Sequence, residues 1–381
     1  MKKLRVIVCG STFGQYYIRA LQTVPDEFEV VGLLANGSNR SKLCADFYHV
    51  PLYTQIEDIP EVDIACVVIR SRAVGGSGTD IAEYFLNKKV HVIQEQPIHP
   101  KDMEVCYRAA KKNHVLFQMG DLYPNLIEVK NFIKCARYLN KKENPLYLRA
   151  SFSPQVSYPA IDIISRIVPS IHTWKIKSIT KELGPFDILM GEIGKTPIFI
   201  EYHNQVDPRD PDNYMHLLHS FTLFYSTGKL VLEDTFGPVL WKPRMHVPKK
   251  LYTPEEEPEY PPYMLENSIE NIGSFRKRSY KDIITGEWPV AISKDLLRLK
   301  DMILNEKNGN QSAQQGLLRS QKWAEMTKAF GYAALVNEPE HHYVPFEELP
   351  SSLRQPILPS QSSFEALNIY CFHPKSYIQE V

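Results

Sequence analysis

The sequence has no excess of charge of either sign. Lysine plus arginine and aspartate plus glutamate both number 44 among 381 residues, so the formal net charge is zero. Domains that bind nucleic acid usually carry a basic surplus, and we therefore expect no nucleic-acid partner. Long apolar runs are also missing. None approaches the roughly 20 residues that a membrane-spanning helix needs, so no membrane contact is expected.

Paired cysteine and histidine motifs are missing as well. The six cysteines, which form no C-x-x-C pair, are Cys9, Cys44, Cys66, Cys106, Cys135 and Cys371. Cys9 and Cys66 lie in apolar runs, which is typical of buried free thiols and predicts a reducing, cytoplasmic location. The histidines, including His341 and His342, lack the spacing of zinc ligands, so no metal site is predicted.

The first third of the chain contains a regular alternation of strands and helices. Strands are predicted at 4–9, 29–35, 63–69, 90–94 and 115–119, and helices at 14–23, 40–48, 79–88 and 102–113. The strands are apolar on both faces, which favours a doubly wound parallel sheet covered by helices, a Rossmann-type α/β domain. The pattern changes at Tyr123, so the first domain is predicted to span residues 1–123.

Residues 124–337 are predicted to form a second, α+β domain with a mainly antiparallel sheet. An amphipathic helix at 125–139 precedes the strands, and two helices close the domain. The strands are predicted at 145–153, 172–183, 197–206, 215–226 and 229–235, and the closing helices at 289–307 and 311–331. The segment 248–263 is rich in proline and charge and is predicted to be an exposed loop. Residues 338–381 are predicted to be a C-terminal extension.

The first turn carries two glycines but lacks the strict G-x-G-x-x-G pattern. Gly10 ends the first strand and Gly14 begins the first helix, with Ser11, Thr12 and Phe13 between them. Such a turn at a helix N-terminus can hold the pyrophosphate of a dinucleotide. Ser11 stands where a glycine would let the backbone approach phosphate, so an ordinary βα turn is the alternative.

A carboxylate is missing after the second strand. An NAD site places Asp or Glu there to bind the ribose 2′-hydroxyl, whereas this chain offers Ser38, Arg40 and Ser41. Arginine matches phosphate geometry and keeps its charge, which predicts a clamp for a 2′-phosphate and hence NADP. The alternative is a helix N-cap beside a solvated arginine.

The following strand ends at Arg70 and Ser71 and runs into a loop with three glycines, among them Gly76. This loop lies at the carboxyl edge of the predicted sheet, where its backbone can approach a bound cofactor. A flexible βα loop with a helix cap is the alternative.

The strand at 90–94 runs into Glu95, Gln96 and Pro97. Strand-Glu-x-Pro after four βα units resembles the Glu-Lys-Pro element of the glucose-fructose oxidoreductase/inositol dehydrogenase family, whose members join a Rossmann domain to an α+β domain with an open sheet. Gln96 stands at the position of the lysine and cannot exchange a proton at neutral pH. Asp162 matches a later family position but is not followed by the expected histidine. Sugar oxidation by that relay is therefore not expected.

The sequence more closely resembles one branch of that family, the thiazolinyl imine reductases of yersiniabactin and pyochelin siderophore synthesis. The resemblance extends from Val6 to about Pro248. The matching segments lie at 10–14, 32–41, 51–54, 63–71, 75–79, 90–100, 122–124, 207–212 and 237–248. The branch shares the variant glycine spacing and uses NADPH, which agrees with the predicted clamp.

The resemblance implies hydride transfer from NADPH to the C=N bond of a thiazoline, giving a thiazolidine. The substrate would be tethered to a carrier domain of a nonribosomal peptide synthetase. Tyr123 is then the candidate proton donor, with water as the alternative, and Glu95 and Gln96 lie at the cofactor. Both residues have a non-catalytic alternative. Glu95 could orient the nicotinamide amide, and Tyr123 could be a packing residue. The open sheet of the family implies self-association as a homodimer.

Two other functions stay open at this point. One is a non-catalytic NADP-binding regulator of the same fold, and the other is a dehydrogenase of another small carbonyl or hydroxyl substrate. Outside the cofactor edge, a turn scaffold is favoured over a substrate cleft for His203, Asn204, Asp207, Asp210 and His216. Solvated loops are favoured over a docking surface for Lys249, Lys250, Arg276, Lys277 and Arg278.

Overall fold

The computed structural model of the chain describes residues 3–247, 262–274, 276–307, 309–337 and 345–354. Most of the predicted loop at 248–263, with Lys249 and Lys250, lies outside these ranges, as does most of the C-terminal extension. Within them, no helix is long and apolar enough to cross a membrane. The same residues contain no group of three or more His, Cys, Asp or Glu side chains that could hold a metal ion.

Six parallel strands form the N-terminal sheet. They are β1 (Leu4–Cys9), β2 (Phe28–Leu34), β3 (Leu52–Tyr53), β4 (Ile64–Val67), β5 (His91–Glu95) and β6 (Phe117–Gly120). Their order is β3-β2-β1-β4-β5-β6, which reverses direction between β1 and β4. Ligands of doubly wound sheets bind at such a switch point, beyond the carboxyl ends of the strands. The predicted Rossmann-type sheet is therefore confirmed.

Four helices connect these strands and cover both faces of the sheet. They are α1 (Gly14–Gln22), α2 (Asn39–Tyr48), α3 (Gly78–Asn87) and α4 (Pro100–Lys112). Every residue of β4 is buried, because helices lie on both sides of a parallel sheet. The thiols of Cys9 and Cys66 are free and fully buried, as predicted.

The C-terminal part is built around a second sheet and two helices packed on it. The helices are α5 (Ile127–Leu139) and α6 (Ser157–Ile167). The strands are β7 (Tyr147–Phe152), β8 (Trp174–Leu183), β9 (Phe186–Ile193), β10 (Thr196–His203), β12 (His219–Phe224), β13 (Gly228–Leu232), β14 (Val239–Pro243) and β15 (Glu270–Asn271). Their order is β15-β14-β13-β12-β7-β10-β9-β8, and β7 pairs with β10 in parallel while the other pairs are antiparallel. This confirms the mainly antiparallel sheet.

Four elements of this sheet and its helices were not predicted: α6, β9, β14 and β15. Helix α6 was not predicted because Pro159 and four isoleucines in its eleven residues favour a strand or a break rather than a helix. A short parallel pair, β11 (Gln205–Val206) with β16 (Ala334–Leu335), lies apart from both sheets.

The last helices fold back onto the N-terminal sheet. A short α7 (Tyr280–Asp282) and a π-helical turn at 283–287 lead into α8 (Trp288–Leu304), and α9 (Asn310–Phe330) follows, with α10 (Ser351–Arg354) near the end. The Trp288 ring of α8 packs edge-on against Tyr16 of α1, with 5.3 Å between ring centroids. One continuous apolar core therefore joins the two sheets.

The prediction that Arg278 is solvated is wrong. Its side chain is 12% exposed, and its guanidinium lies 2.6 Å from the Glu128 carboxylate. It also donates to the Phe236 carbonyl oxygen at 3.1 Å. The carboxylates of Glu128 and Glu287 draw it inward, because a buried charge needs paired partners. Glu128 lies 150 residues before Arg278 and Glu287 follows it at the end of the π-helical turn, so the basic run at 276–278 alone does not indicate this burial.

Candidate active site

The glycine turn after β1 lies at the switch point of the sheet. Gly10 has φ of +100°, and a Cβ placed on it would lie 2.5 Å from the Val68 carbonyl oxygen. Phe13 precedes α1, and no side chain caps the N-terminus of this helix. The turn, with Ser11 and Thr12, therefore leaves backbone N–H groups free at a helix N-terminus, the arrangement that suits a pyrophosphate.

Beyond β2, the three residues predicted to clamp a 2′-phosphate lie together at the start of α2. The Ser38 hydroxyl caps this helix by accepting the Ser41 N–H at 3.3 Å. Ser41 is buried, and its hydroxyl donates to the Ser38 carbonyl oxygen at 2.8 Å. Arg40 is exposed. Ser41 thus stabilises the turn, while the exposed Arg40 places a cation at this edge.

The loop after β4 contacts the segment after β5 on one side and the C-terminal part of the chain on the other. The buried Ser71 hydroxyl donates to the Pro97 carbonyl oxygen at 2.6 Å. Arg70 lies 2.6 Å from Asp212 of the C-terminal part, and both side chains are largely exposed. A Cβ on Gly76 would collide with the Arg70 carbonyl oxygen. The loop folds tightly, and Arg70 is engaged by a carboxylate that the sequence did not single out.

Glu95 ends β5 and is held by α1. The hydroxyl of Tyr17, a buried residue, donates a short hydrogen bond to its carboxylate. Burial raises the pKa of Glu95 to about 8, the nearby charge of Asp295 adds to this, and the Tyr17 bond opposes it. Glu95 is therefore mostly protonated at neutral pH. The neighbouring Gln96 has a buried Oε1 without a hydrogen-bond partner among the described residues.

Tyr123 follows β6 in a 3-10 turn, and its own N–H donates to Asp121 Oδ1 at 3.1 Å. Burial raises the pKa of its phenol, and the negative charges of Asp121 and Glu95 raise it further. The ring packs edge-on against His219 of β12, with 5.1 Å between centroids. The phenol thus stays protonated beside Glu95, at the junction of the two sheets.

His219 itself has no proton to give. Its Nε2–H donates to the Val156 carbonyl oxygen at 2.9 Å, and its Nδ1 accepts from the Thr235 hydroxyl at 2.9 Å. Burial lowers its pKa to about 4, although the bond to Val156 opposes this shift. A neutral, doubly bonded imidazole positions the Tyr123 ring and leaves proton donation to other groups.

Asp295 of α8 holds the turn that carries Tyr123. Its Oδ2 accepts the Asp121 N–H at 3.1 Å, and its Oδ1 accepts the Asn125 side-chain amide at 2.8 Å. This residue lies far along the chain from the turn, and nothing in the local sequence marks it. Sequence reasoning therefore missed it, together with Tyr17 and His219.

The turn scaffold predicted for 207–212 is observed. Asp207 Oδ1 accepts the Arg209 N–H at 2.9 Å, and the Asp207 carbonyl oxygen accepts the Asp210 N–H at 3.1 Å. The His203 ring, at the end of β10, packs edge-on against the His216 ring with 4.6 Å between centroids. Burial lowers the pKa of His203 to about 4, so this imidazole is neutral.

Comparison with protein families gives two matches on successive parts of the chain. Residues 4–121 match the oxidoreductase family with an NAD-binding Rossmann fold. Residues 143–242 match the C-terminal domain of Irp3-like thiazolinyl imine reductases. No protein of curated function matches the chain.

Solved structures share the fold across most of the chain. A 3-ketoreductase, KijD10 from Actinomadura kijaniata in complex with NADP, is 12% identical with a TM-score of 0.61, covering 88% of this chain and 99% of that one. An oxidoreductase from Agrobacterium radiobacter with NAD+, L-tartaric acid and magnesium is 10% identical with a TM-score of 0.61, covering 86% and 96%. The UDP-N-acetylglucosamine 3-dehydrogenase GnnA from Acidithiobacillus ferrooxidans is 12% identical with a TM-score of 0.57, covering 86% and 98%.

At these identities the solved structures show the fold alone, whereas the two family matches identify the lineage of each part. The Rossmann match ends, at residue 121, where the turn bearing Tyr123 begins. The second match covers the strands of the mainly antiparallel sheet up to β14. The chain belongs to the Gfo/Idh/MocA family of NAD(P)-dependent oxidoreductases, in the branch that carries the Irp3-like C-terminal domain.

Proposed function

We propose that the protein reduces the C=N bond of a thiazoline to a thiazolidine with NADPH. The observation that carries this proposal is the proximity of Glu95 and Tyr123, whose protonated forms burial favours, at the carboxyl edge of the Rossmann sheet. Beside them a glutamine stands in place of the lysine of sugar dehydrogenases. Reduction of an imine needs a proton donor, and it does not need a base that removes a hydroxyl proton. The Irp3-like C-terminal domain supports the choice of thiazoline.

The residues at the edge of the sheet fit an NADP molecule. The uncapped N-terminus of α1 and the close approach at Gly10 suit the pyrophosphate. Arg40 and Ser38 suit a 2′-phosphate, and the unpartnered Oε1 of Gln96 offers an acceptor near Glu95. When bound, the cofactor supplies the hydride.

Tyr123 is proposed to give its hydroxyl proton to the ring nitrogen. Adding hydride to carbon leaves negative charge on that nitrogen, and a positioned acid removes the charge as it forms. Burial keeps the phenol protonated but makes it a weaker acid; it can still donate because the nitrogen becomes a strong base as hydride adds to the carbon. The edge-on contact with His219 positions the ring. Glu95 is anchored by Tyr17 and lies close enough to Tyr123 that its ionisation would raise the pKa of the phenol further.

The substrate is proposed to arrive as a thioester on a carrier domain of a nonribosomal peptide synthetase in the cytosol. The resemblance to the siderophore reductases and the Irp3-like domain support this partner. The five described cysteines are all free, as a reducing compartment requires.

Turnover of a thiazoline thioester with NADPH, followed by mass spectrometry of the product, tests this function. Tyr123→Phe keeps the ring and its packing but removes the proton, so we expect turnover to fall by about 10²–10⁴-fold. Tyr138→Phe, an exposed tyrosine on α5, is the matched control and should keep full activity. Unchanged turnover of Tyr123→Phe would remove the phenol from the mechanism. Oxidation of sugars by the wild type, without thiazoline reduction, would favour the dehydrogenase alternative.

A further inference from the structure

A polar cavity of about 240 Å³ lies behind the turn that carries Tyr123, at the free edge of β6. The turn after β6 and helices α4, α6, α8 and α9 form the rest of its wall. That wall holds three carboxylates and three guanidinium groups, from Asp121, Asp162, Asp295, Arg166, Arg298 and Arg319. The Arg298 side chain is 49% exposed, so the cavity reaches solvent at this corner.

Asp121 lines this cavity and accepts a hydrogen bond from the backbone of the turn that carries Tyr123. It is 8% exposed, and its Oδ1 accepts the Tyr123 N–H. Its Oδ2 is buried and has no hydrogen-bond partner among the described residues. A buried oxygen without a partner is costly, and a polar cavity of this size has room for several waters at about 30 Å³ each. Water in the cavity would satisfy Oδ2.

The carboxyl groups of the cavity differ in how many arginines they pair with, and their pKa values shift in different directions. Burial favours a raised pKa for Asp162, but Arg166 at 2.8 Å and Arg319 at 3.1 Å outweigh it and lower that pKa. Asp295 pairs with Arg298, yet burial still raises its pKa.

Among the described residues, no hydrogen bond or ion pair joins Asp121 to an arginine. Burial raises its pKa well above the usual range, and the negative charges of Asp162, Glu95 and Asp295 add to this. The hydroxyl of Tyr158, in the same wall, is also kept protonated by burial. Burial thus favours the neutral form of Asp121, which lies between the cavity and the side chains of Glu95 and Tyr123.

We propose that the cavity is a water-filled proton inlet and that Asp121 passes protons from it to the Glu95–Tyr123 pair. The inference rests on the proposed function, because reduction of a C=N bond consumes one proton along with each hydride. Tyr123 loses its O–H proton to the ring nitrogen, and the Asp121 O–H bond breaks to restore it. Cavity water then returns a proton to Asp121 from solvent. No oxidant or further reactant is required.

Asp121→Asn tests the inlet, because it keeps the acceptor for the Tyr123 N–H and removes the transferable proton. We expect steady-state turnover of a thiazoline thioester to fall at least about tenfold, with the first turnover after mixing nearly unchanged and with partial rescue by added formic acid. The matched control is Asp234→Asn, since Asp234 accepts the Phe236 N–H at 3.0 Å in the same local geometry outside the cavity. Equal losses in the first and later turnovers, without rescue, would contradict the inlet.

An infrared difference spectrum provides a test that needs no substrate. The NADPH-loaded wild type, minus the Asp121→Asn variant, should show the carbonyl stretch of a protonated carboxylic acid at neutral pH. Absence of this band would overturn the inlet even if the wild type reduces thiazolines. Presence of the band in a protein that reduces none would instead overturn the proposed function, and with it the role of the inlet in this reaction.

Discussion

Gln96 is the residue at which this chain departs from the sugar dehydrogenases of its family. Its amide cannot exchange a proton at neutral pH, and its Oε1 is buried without a hydrogen-bond partner in the described part of the chain. The titratable neighbours are Glu95 and Tyr123, and burial keeps both protonated. Acid chemistry at this edge therefore depends on these two side chains.

Arg40 determines the choice between NADPH and NADH in this account. Arg40→Ala should weaken NADPH binding by about 1.5–3 kcal/mol, the usual size of a hydrogen bond to a charged group, and leave NADH binding nearly unchanged. Calorimetric titration of both cofactors measures the two effects. Equal losses for NADPH and NADH would contradict the clamp.

The raised pKa of Glu95 makes folding stability depend on pH. Below pH 4.5 the carboxyl is protonated in both the folded and the unfolded chain, so its full contribution is present. Between pH 4.5 and about 8 it ionises in the unfolded chain alone, and stability is lost by at most about 1.4 kcal/mol per pH unit. Urea unfolding at pH 5 and pH 8 should therefore show that the wild type loses stability relative to Glu95→Gln as pH rises. A constant difference would contradict the raised pKa.

At the scale of elements, the glycine turn between β1 and α1 is the best-defined local structure of the site. Gly10→Ala must tolerate both φ of +100° and the Val68 carbonyl oxygen. Gly184→Ala, at φ of +66° with nothing within 4 Å of the added Cβ, has the dihedral penalty alone. We expect about 1 kcal/mol of lost stability for Gly184→Ala and a larger loss for Gly10→Ala, together with loss of cofactor binding. Equal losses in urea unfolding would show that the close approach has no effect.

The elements that position the cofactor could be predicted from the sequence because their signals are local. Each candidate residue ends or closely follows a strand of the parallel sheet, and the carboxyl ends of parallel strands lie at one edge. Gly10, Ser38, Glu95 and Tyr123 are therefore expected at that edge. Helix α6 was not predicted, because its isoleucines and Pro159 are typical of strands and breaks, and its packing between other elements decides the helix. The residues that position Tyr123, such as Asp295, lie far from it in the sequence and reach it only in the folded chain. No local sequence pattern therefore indicates them.

At the scale of the whole molecule, the second sheet has one face turned away from its helices. Tyr147 and Phe224 stack on that face with 4.4 Å between ring centroids. Arg149 and Glu201 pair beside them at 2.8 Å, and Met190 is 45% exposed. An apolar face with internally paired charges suits contact with a second copy of the chain, which supports the proposed homodimer.

A charge on that face should separate the dimer. Met190→Asp places a carboxylate where the apolar surface would be buried, so light scattering at micromolar concentration should give the mass of one chain. Met245→Asp, at an exposed methionine after β14, is the control and should leave the mass of two chains. A wild type that is monomeric in the same measurement would contradict the proposed dimer.

The central claim is that this fold delivers hydride to a C=N carbon while its own acids protonate the nitrogen. NADPH deuterated at the transferable C4 position, reacted with a thiazoline thioester, tests it most directly. We predict a thiazolidine carrying one deuterium on the former imine carbon, formed by the wild type and greatly slowed in Tyr123→Phe. Recovery of unlabelled thiazoline with intact NADPH after prolonged reaction with the wild type would contradict the account.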